Sequence, residues 1–244
     1  MCKLSSIVLL LLLCASQSLA QTTQTSSIPT TDTLGPEVFV GYSNLQAEGL
    51  PPNVGDNQND SFSNNLFGGR TGLHGFDTEF TYWVTPRFGV TADFSFNQRT
   101  QSFTTTAAGG TVTLQNSLDT RVINILGGPQ VRFPNQTRVT PFVRALFGVA
   151  NTRFEAEAER SVAAGTFTNS FNTNATDFAM ALGGGLDLRL NDRFGLRVFQ
   201  IDYNPVFLRS RSVNILGQAG AIEPRRLESH RQDNIRLGFG VTIK

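Results

Sequence analysis

The stretch DFAMALGGGLDLRL, residues 177–190, decides the fold, because its large apolar side chains stand at every second position. That apolar series comprises Phe178, Met180, Leu182, Leu186, Leu188 and Leu190. The positions between them hold small or charged residues, namely Asp177, Ala179, Ala181, Gly183, Gly185, Asp187 and Arg189. Successive side chains of a β-strand point to opposite faces, so the pattern predicts a strand with one apolar face and one small or charged face.

The same period of two recurs along the rest of the chain from Pro36 onward. It is clearest at residues 88–97 and 235–244, and weaker at residues 38–42, 76–84, 123–133, 139–149 and 194–203. These stretches give about eight strands of about ten residues, the length that crosses a bilayer at the tilt of a barrel. The fold class predicted is all-β, an eight-stranded antiparallel up-and-down transmembrane barrel.

The connections between the predicted strands alternate in length. Tight turns are expected at residues 85–87, 134–137 and 191–192, where Pro, Asn and Asp favour turns. Long connections are expected at residues 45–72, 101–116, 155–176 and 209–232. The second and third could be strands that continue past the membrane to hairpins near Gly109-Gly110 and Ala164-Gly165. Short turns on one side and long loops on the other are typical of outer-membrane barrels, with the turns periplasmic.

The N-terminus predicts export. Residues 1–20 combine Lys3, an apolar run from Ile7 to Leu13 and a small-residue end at Ala20, the layout of a secretory signal peptide. Residues 21–34 are rich in Thr, Ser and Gln and predict a flexible segment, which leaves residues 35–244 for the barrel. Both cysteines lie within the signal peptide, so no disulfide is expected. A net charge of +1 argues against nucleic acid as a partner.

The polar face separates a membrane barrel from a soluble one such as a lipocalin, because alternation alone fits both. Strand glycines and paired charges suit a narrow interior better than a solvated surface. We therefore predict a lumen plugged by a charge network of Glu37, Asp77, Glu79, Asp93, Arg132, Arg144, Asp187, Arg189, Arg197, Asp202 and Arg236. A solvated polar face whose charges balance by accident remains the alternative.

With strands and loops placed, the chain resembles the eight-stranded outer-membrane β-barrel proteins, a group that includes OmpA-like transmembrane domains and small porin-like barrels. The last strand carries the most specific likeness, an insertion signal of Arg236, Gly238, Val241 and Ile243, although the chain ends on Lys244 and not on an aromatic residue. The resemblance implies contact with the barrel-insertion machinery. Arg197, Gln200, Asp202 and Tyr203 resemble a run near the seventh strand of related barrels. Since Arg197 and Asp202 differ in parity, a bulge is predicted between them.

No catalytic, metal or cofactor site is predicted. The only histidines are His74 and His230, without metal-ligand spacing. The run Glu228-Ser229-His230 invites comparison with outer-membrane lipid hydrolases and acyltransferases, but adjacent loop residues rarely form a triad. A cluster in the last long connection could contact lipopolysaccharide phosphates through Arg209, Arg211, Arg225, Arg226 and Arg231, or could be an ordinary solvated surface.

The sequence therefore predicts a monomer with a structural role in the outer membrane and with outer-membrane lipid and lipopolysaccharide as partners. Three alternatives stay open: a narrow porin-like channel, a surface adhesin that binds through its loops, and, with less support, an enzyme that modifies lipid A.

Overall fold

The computed structural model describes residues 34–48, 70–106, 112–162, 165–216, 222–227 and 229–244. These residues belong to one unit, Asp32–Lys244, and form ten strands. The strands are β1 (Gly35–Ala47), β2 (Thr71–Trp83), β3 (Phe88–Thr106), β4 (Val112–Arg132), β5 (Val139–Val162), β6 (Gly165–Arg189), β7 (Phe194–Leu208), β8 (Arg211–Leu216), β9 (Ile222–Leu227) and β10 (His230–Ile243). Over the same ranges, no helix has the length and apolar character needed to cross a membrane. Apart from Leu34, the predicted signal peptide and flexible segment lie outside the described residues.

Eight strands close into a barrel in the order β1, β2, β3, β4, β5, β6, β7, β10, and β10 returns to pair with β1. Every neighbouring pair is antiparallel. Closure gives each barrel strand a partner on both sides, so its backbone polar groups are satisfied without water. The predicted fold class is confirmed.

The outer surface of the barrel carries the apolar face of the strands. Phe80, Ile125 and Phe239 are 50%, 57% and 55% exposed, although each is a large apolar side chain. The residues that alternate with the apolar ones point into the barrel, and charged members such as Asp77 and Glu79 on β2 are buried there. A contiguous apolar belt of this kind is the lipid-contacting surface of a membrane barrel.

Four strands continue far beyond the length of their neighbours. β3, β4, β5 and β6 have 19, 21, 24 and 25 residues, whereas β1 and β2 have 13 each. The pairing continues to Thr106↔Thr113 and to Val162↔Gly165, which confirms that the second and third long connections are extended strands. The hairpin tips predicted at Gly109-Gly110 and Ala164 lie outside the described residues.

The last long connection contains regular structure that the sequence reasoning did not predict. β8 and β9 pair with each other as a separate two-stranded sheet, from Arg211↔Leu227 to Leu216↔Ile222. The expectation of a plain loop over residues 209–232 was wrong for these residues. Val213 and Ile215 do alternate with polar residues, but over a run too short to resemble a membrane strand.

β7 contains the predicted bulge. Against β10, the register passes from Gly238↔Gln200 to Gly240↔Arg197, and against β6 it passes from Leu186↔Phe199 to Asp187↔Arg197. Val198 and Phe199 are therefore consecutive outward-facing residues, 49% and 43% exposed. The extra residue brings Arg197 and Asp202 to the same side of the sheet.

Candidate functional site in the barrel lumen

Arg144 on β5 lies at the centre of a buried ionic cluster. Its Nε and Nη2 donate to the two carboxylate oxygens of Asp202 at 3.0 and 2.7 Å. Nη2 also donates to Asp93 at 3.3 Å, and Nη1 donates to Glu79. Because these carboxylates stand on β7, β3 and β2, one guanidinium connects strands from opposite walls of the barrel.

Arg236 on β10 provides the second cation of the cluster. Nη1 and Nη2 donate to the two oxygens of Asp93 at 2.9 and 2.7 Å, a bidentate geometry that strengthens and orients the pair. Its Nε donates to Asp202 at 3.3 Å, and Nη1 lies 3.8 Å from Asp77. The side chain of Arg236 is fully buried.

Arg197 on β7 provides the third cation and is clamped between two rings. Its Nη1 donates to Glu79 at 2.6 Å and its Nε donates to Asp187 at 2.8 Å. The guanidinium carbon lies 4.3 Å from the ring centre of Phe39 and 4.2 Å from that of Phe142. Cation–π contact on both faces stabilises a desolvated guanidinium that hydrogen bonds hold at its edge.

Glycines make room for the two clamping rings. Gly41 and Gly240 face each other across the β1–β10 seam, and a Cβ at Gly240 would lie 2.8 Å from Cε2 of Phe39. A Cβ at Gly185 would lie 3.0 Å from two ring carbons of Phe142. Strand glycines here have a steric purpose, because the rings occupy the space that side chains would need.

A second, smaller charged group closes the turn side of the lumen. The indole N–H of Trp83 donates to Glu37 at 3.2 Å, and Arg132 stacks on the Trp83 ring at 4.1 Å. Arg132 and Lys244 lie 3.9 and 3.8 Å from the same carboxylate oxygen of Glu37. Arg132 also donates to the Pro86 carbonyl at 2.7 Å, which fixes it to the turn between β2 and β3.

Apolar side chains occupy much of the loop side of the lumen, beside buried polar residues such as Asn204 and Asn234, and the sequence reasoning missed this apolar layer. Two groups of buried side chains fill the barrel there, beyond the ionic cluster. One consists of Leu45, Ala47, Leu73 and Val122, and the other consists of Leu126, Leu146, Ala150, Ala179, Ala181 and Val206. These residues stand at the inward parity of their strands, so the available signal was a switch from charged to apolar residues along one face.

Between these layers, short polar side chains bond across the lumen. Asn97 donates to the Ser43 carbonyl and to the Ser43 hydroxyl at 3.1 and 3.0 Å. Asn124 donates to the Ser95 hydroxyl at 3.1 Å. All four residues are fully buried, so the described interior is packed with side chains from the turns to the loop side.

The other predicted site residues lie in different surroundings. Arg189 faces inward near the turn side, is only half-buried, and has no carboxylate partner among the described residues. Arg209 is exposed and donates its backbone N–H to Asp177 at 3.1 Å. Arg231 is exposed and pairs with Asp233 at 2.7 Å. The side chains of three further arginines lie outside the described part of the structure: Arg211, Arg225 and Arg226.

The predicted insertion signal divides between the two faces of β10. Arg236 and Gly238 face the lumen and are buried, whereas Val241 and Ile243 face outward at 41% and 43% exposure. Arg236 therefore belongs to the signal pattern and to the ionic cluster at once. His74 lies on the outward face near the loop side, where its Nδ1 contacts the Tyr42 hydroxyl and lies 3.1 Å from Nδ2 of Asn44.

A closed eight-stranded barrel with an apolar outer belt and a filled, charged lumen defines the class of the protein as a transmembrane barrel of the outer membrane. The family comparison gives the same answer from the sequence. The model of the outer membrane protein beta-barrel domain matches residues 6–242, so the chain belongs to that family.

Solved structures of outer-membrane barrels match the chain. Ail, the attachment invasion locus protein of Yersinia pestis, is 15% identical with a TM-score of 0.39, and the match covers 86% of this chain and 100% of that one. OprG from Pseudomonas aeruginosa is 11% identical with a TM-score of 0.43, covering 86% and 95%. Neisserial surface protein A is 10% identical with a TM-score of 0.38, covering 86% and 97%. No curated protein matches the chain in sequence.

Proposed function

We propose that this protein is a structural barrel of the outer membrane whose lumen is sealed by paired charges. The observation that carries the proposal is the bridge made by Arg144, whose guanidinium donates to carboxylates on β2, β3 and β7 at once. The apolar layer on the loop side adds a second barrier. Water and ions would have to displace both layers to pass.

Opening the charged layer would be costly. The side chains of Arg144, Asp93 and Asp202 have no exposed surface, so separating them would leave buried charges without partners. In a narrow channel, the charged side chains of this network would have to separate and line an open path through the lumen. That channel is the main alternative function, and it makes a different prediction for the current through the barrel.

Single-channel recording separates the two functions. The purified barrel is inserted into a planar bilayer after a heat-sensitive gel shift has confirmed its closed form, and currents are recorded for the wild type, Arg144→Ala and Arg231→Ala. The sealed barrel predicts silence from the wild type and from Arg231→Ala, whose substitution lies outside the lumen. A stepwise current in the wild type that grows in Arg144→Ala would support the narrow channel instead.

Five further expectations stay predictions. They are export through a cleaved signal peptide, contact with the barrel-insertion machinery, a monomeric state, lipopolysaccharide contact through the arginine cluster, and the absence of catalysis. A surface adhesin would depend on loop residues 51–65, which lie outside the described residues.

A further inference from the structure

The central ionic cluster contains more acids than bases. Its fully buried members are the carboxyl groups of Asp77, Glu79, Asp93 and Asp202 and the guanidinium groups of Arg144, Arg197 and Arg236. Asp187, whose side chain is 19% exposed, lies at the edge of this group and pairs with Arg197. With every group ionised, the buried core would carry one uncompensated negative charge. An unpaired buried charge is among the most costly arrangements in a protein interior.

Hydrogen bonding shows which carboxyl group is left over. Glu79 accepts from Arg144 and Arg197. Asp93 accepts from Arg236 at both oxygens and from Arg144. Asp202 accepts from the same two arginines. Three carboxylates thus use the donors of three guanidiniums.

Asp77 is bonded differently. Within the described part of the chain, its Oδ2 accepts only a long hydrogen bond of 3.4 Å from the amide of Gln200 and lies 3.8 Å from Nη1 of Arg236. Its Oδ1 is buried and has no hydrogen-bond partner among the residues that the structure describes. An ionised carboxylate at this position would lack the donors that the other three carboxylates have.

The neighbours of Asp77 add to the effect. One carboxylate oxygen from each of Asp77, Glu79 and Asp93 lies within 4.8 Å of the other two. Like charges at such distances disfavour full ionisation. The groups that face Asp77 are Glu79 on its own strand, Asp93 on β3, Arg144 on β5, Gln200 on β7 and Arg236 on β10, and the same Gln200 amide also donates to Asp202.

We propose that Asp77 is a proton-binding site and that it holds one resident proton inside the sealed lumen. One proton makes the buried core neutral, with three carboxylates facing three guanidiniums. A divalent cation would instead leave a net positive charge beside three arginines. A monovalent cation would need several oxygen ligands, but the oxygens of Glu79 and Asp93 already accept from the guanidiniums.

Infrared spectroscopy tests the proposal directly, because the C=O stretch of a neutral carboxylic acid is separate from the bands of carboxylates. The full barrel, purified from outer membranes into lipid vesicles, is compared at neutral pH with Asp77→Asn and with the matched variant Asp187→Asn. The wild type and Asp187→Asn are expected to show a neutral carboxyl band, and Asp77→Asn is expected to lose it. Labelling the aspartate carboxyl carbons with ¹³C should shift the wild-type band.

Stability gives an independent second measurement. Asparagine mimics a neutral aspartic acid, so Asp77→Asn should change the unfolding equilibrium constant by less than about tenfold. Asp93→Asn removes an ionised partner of two arginines and should change it by about 150-fold to 5,000-fold, the equivalent of the 3–5 kcal/mol typical of a broken buried pair.

Three results would overturn the proposal. One is the absence of a neutral carboxyl band in the wild type, a result that does not depend on any variant folding. Another is a band that moves with glutamate labelling and not with aspartate labelling, which would place the proton on Glu79. The third is a loss of stability in Asp77→Asn as large as in Asp93→Asn. If, in addition, Ca²⁺ or Mg²⁺ bound the wild type and not Asp77→Asn, the site would be a cation site.

Discussion

The middle and the loop side of the same lumen are sealed by different physical interactions. In the middle, Arg144 and Asp202 belong to a network in which each cation depends on several anions. Two residues further along β5, Leu146 belongs to an apolar layer that holds by packing alone. The ionic layer is specific and fails when one partner is lost, whereas the apolar layer tolerates changes in proportion to the volume removed.

The largest expected loss comes from breaking the ionic layer at Asp202. Asp202→Asn takes a carboxylate from Arg144 and Arg236, so the free energy of unfolding should fall by about 4 kcal/mol. Denaturant unfolding in lipid vesicles can be followed by the fluorescence of Trp83, the one tryptophan of the chain, whose indole is bonded inside the barrel. Asp187→Asn is the matched control, since its partly exposed carboxylate bonds only Arg197 among the described residues. Equal losses in both variants would contradict the distinction between buried and peripheral members.

A smaller loss is expected in the apolar layer. Leu146→Ala leaves a cavity among fully buried neighbours and should cost about 2–3 kcal/mol. Val143→Ala, on the outward face of the same strand at 49% exposure, should cost below about 1 kcal/mol because lipid can fill the space. Denaturant midpoints of the two variants make the comparison. A cost for Leu146→Ala no greater than that for Val143→Ala would show that this layer is loosely packed.

The smallest effect is expected where the same ionic chemistry is exposed. Arg231 and Asp233 form a pair whose side chains are 57% and 27% exposed. Arg231→Ala should destabilise the barrel far less than Asp202→Asn, and added salt should reduce the loss further. Unfolding at low and high ionic strength checks this. A salt-insensitive loss comparable to that of Asp202→Asn would remove burial as the explanation of the difference between the two sites.

The sequence was enough to predict the fold and the charged face, because alternation shows which side of a strand each residue occupies. It did not show how far along the barrel axis each inward residue lies. The charge network predicted along the face has six acids and five bases, but Glu37 and Arg132 belong to the turn-side group and Arg189 has no carboxylate partner in the described structure. Depth depends on strand tilt and stagger, which long-range pairing sets. Leu45 and Leu73 were not assigned to the lumen because the strands predicted at residues 38–42 and 76–84 were too short to include them, although both stand at inward positions of β1 and β2.

The bulge at Val198 and Phe199 also bears on how this barrel can be compared with others. β7 alternates on either side of the bulge, but inward-facing residues have odd numbers before it and even numbers after it. A relative that lacks the bulge would have one residue fewer at this place and would still direct the same side chains inward. An alignment gap of one residue within this strand would therefore mark conserved geometry, and an ungapped alignment would pair inward residues of one protein with lipid-facing residues of the other.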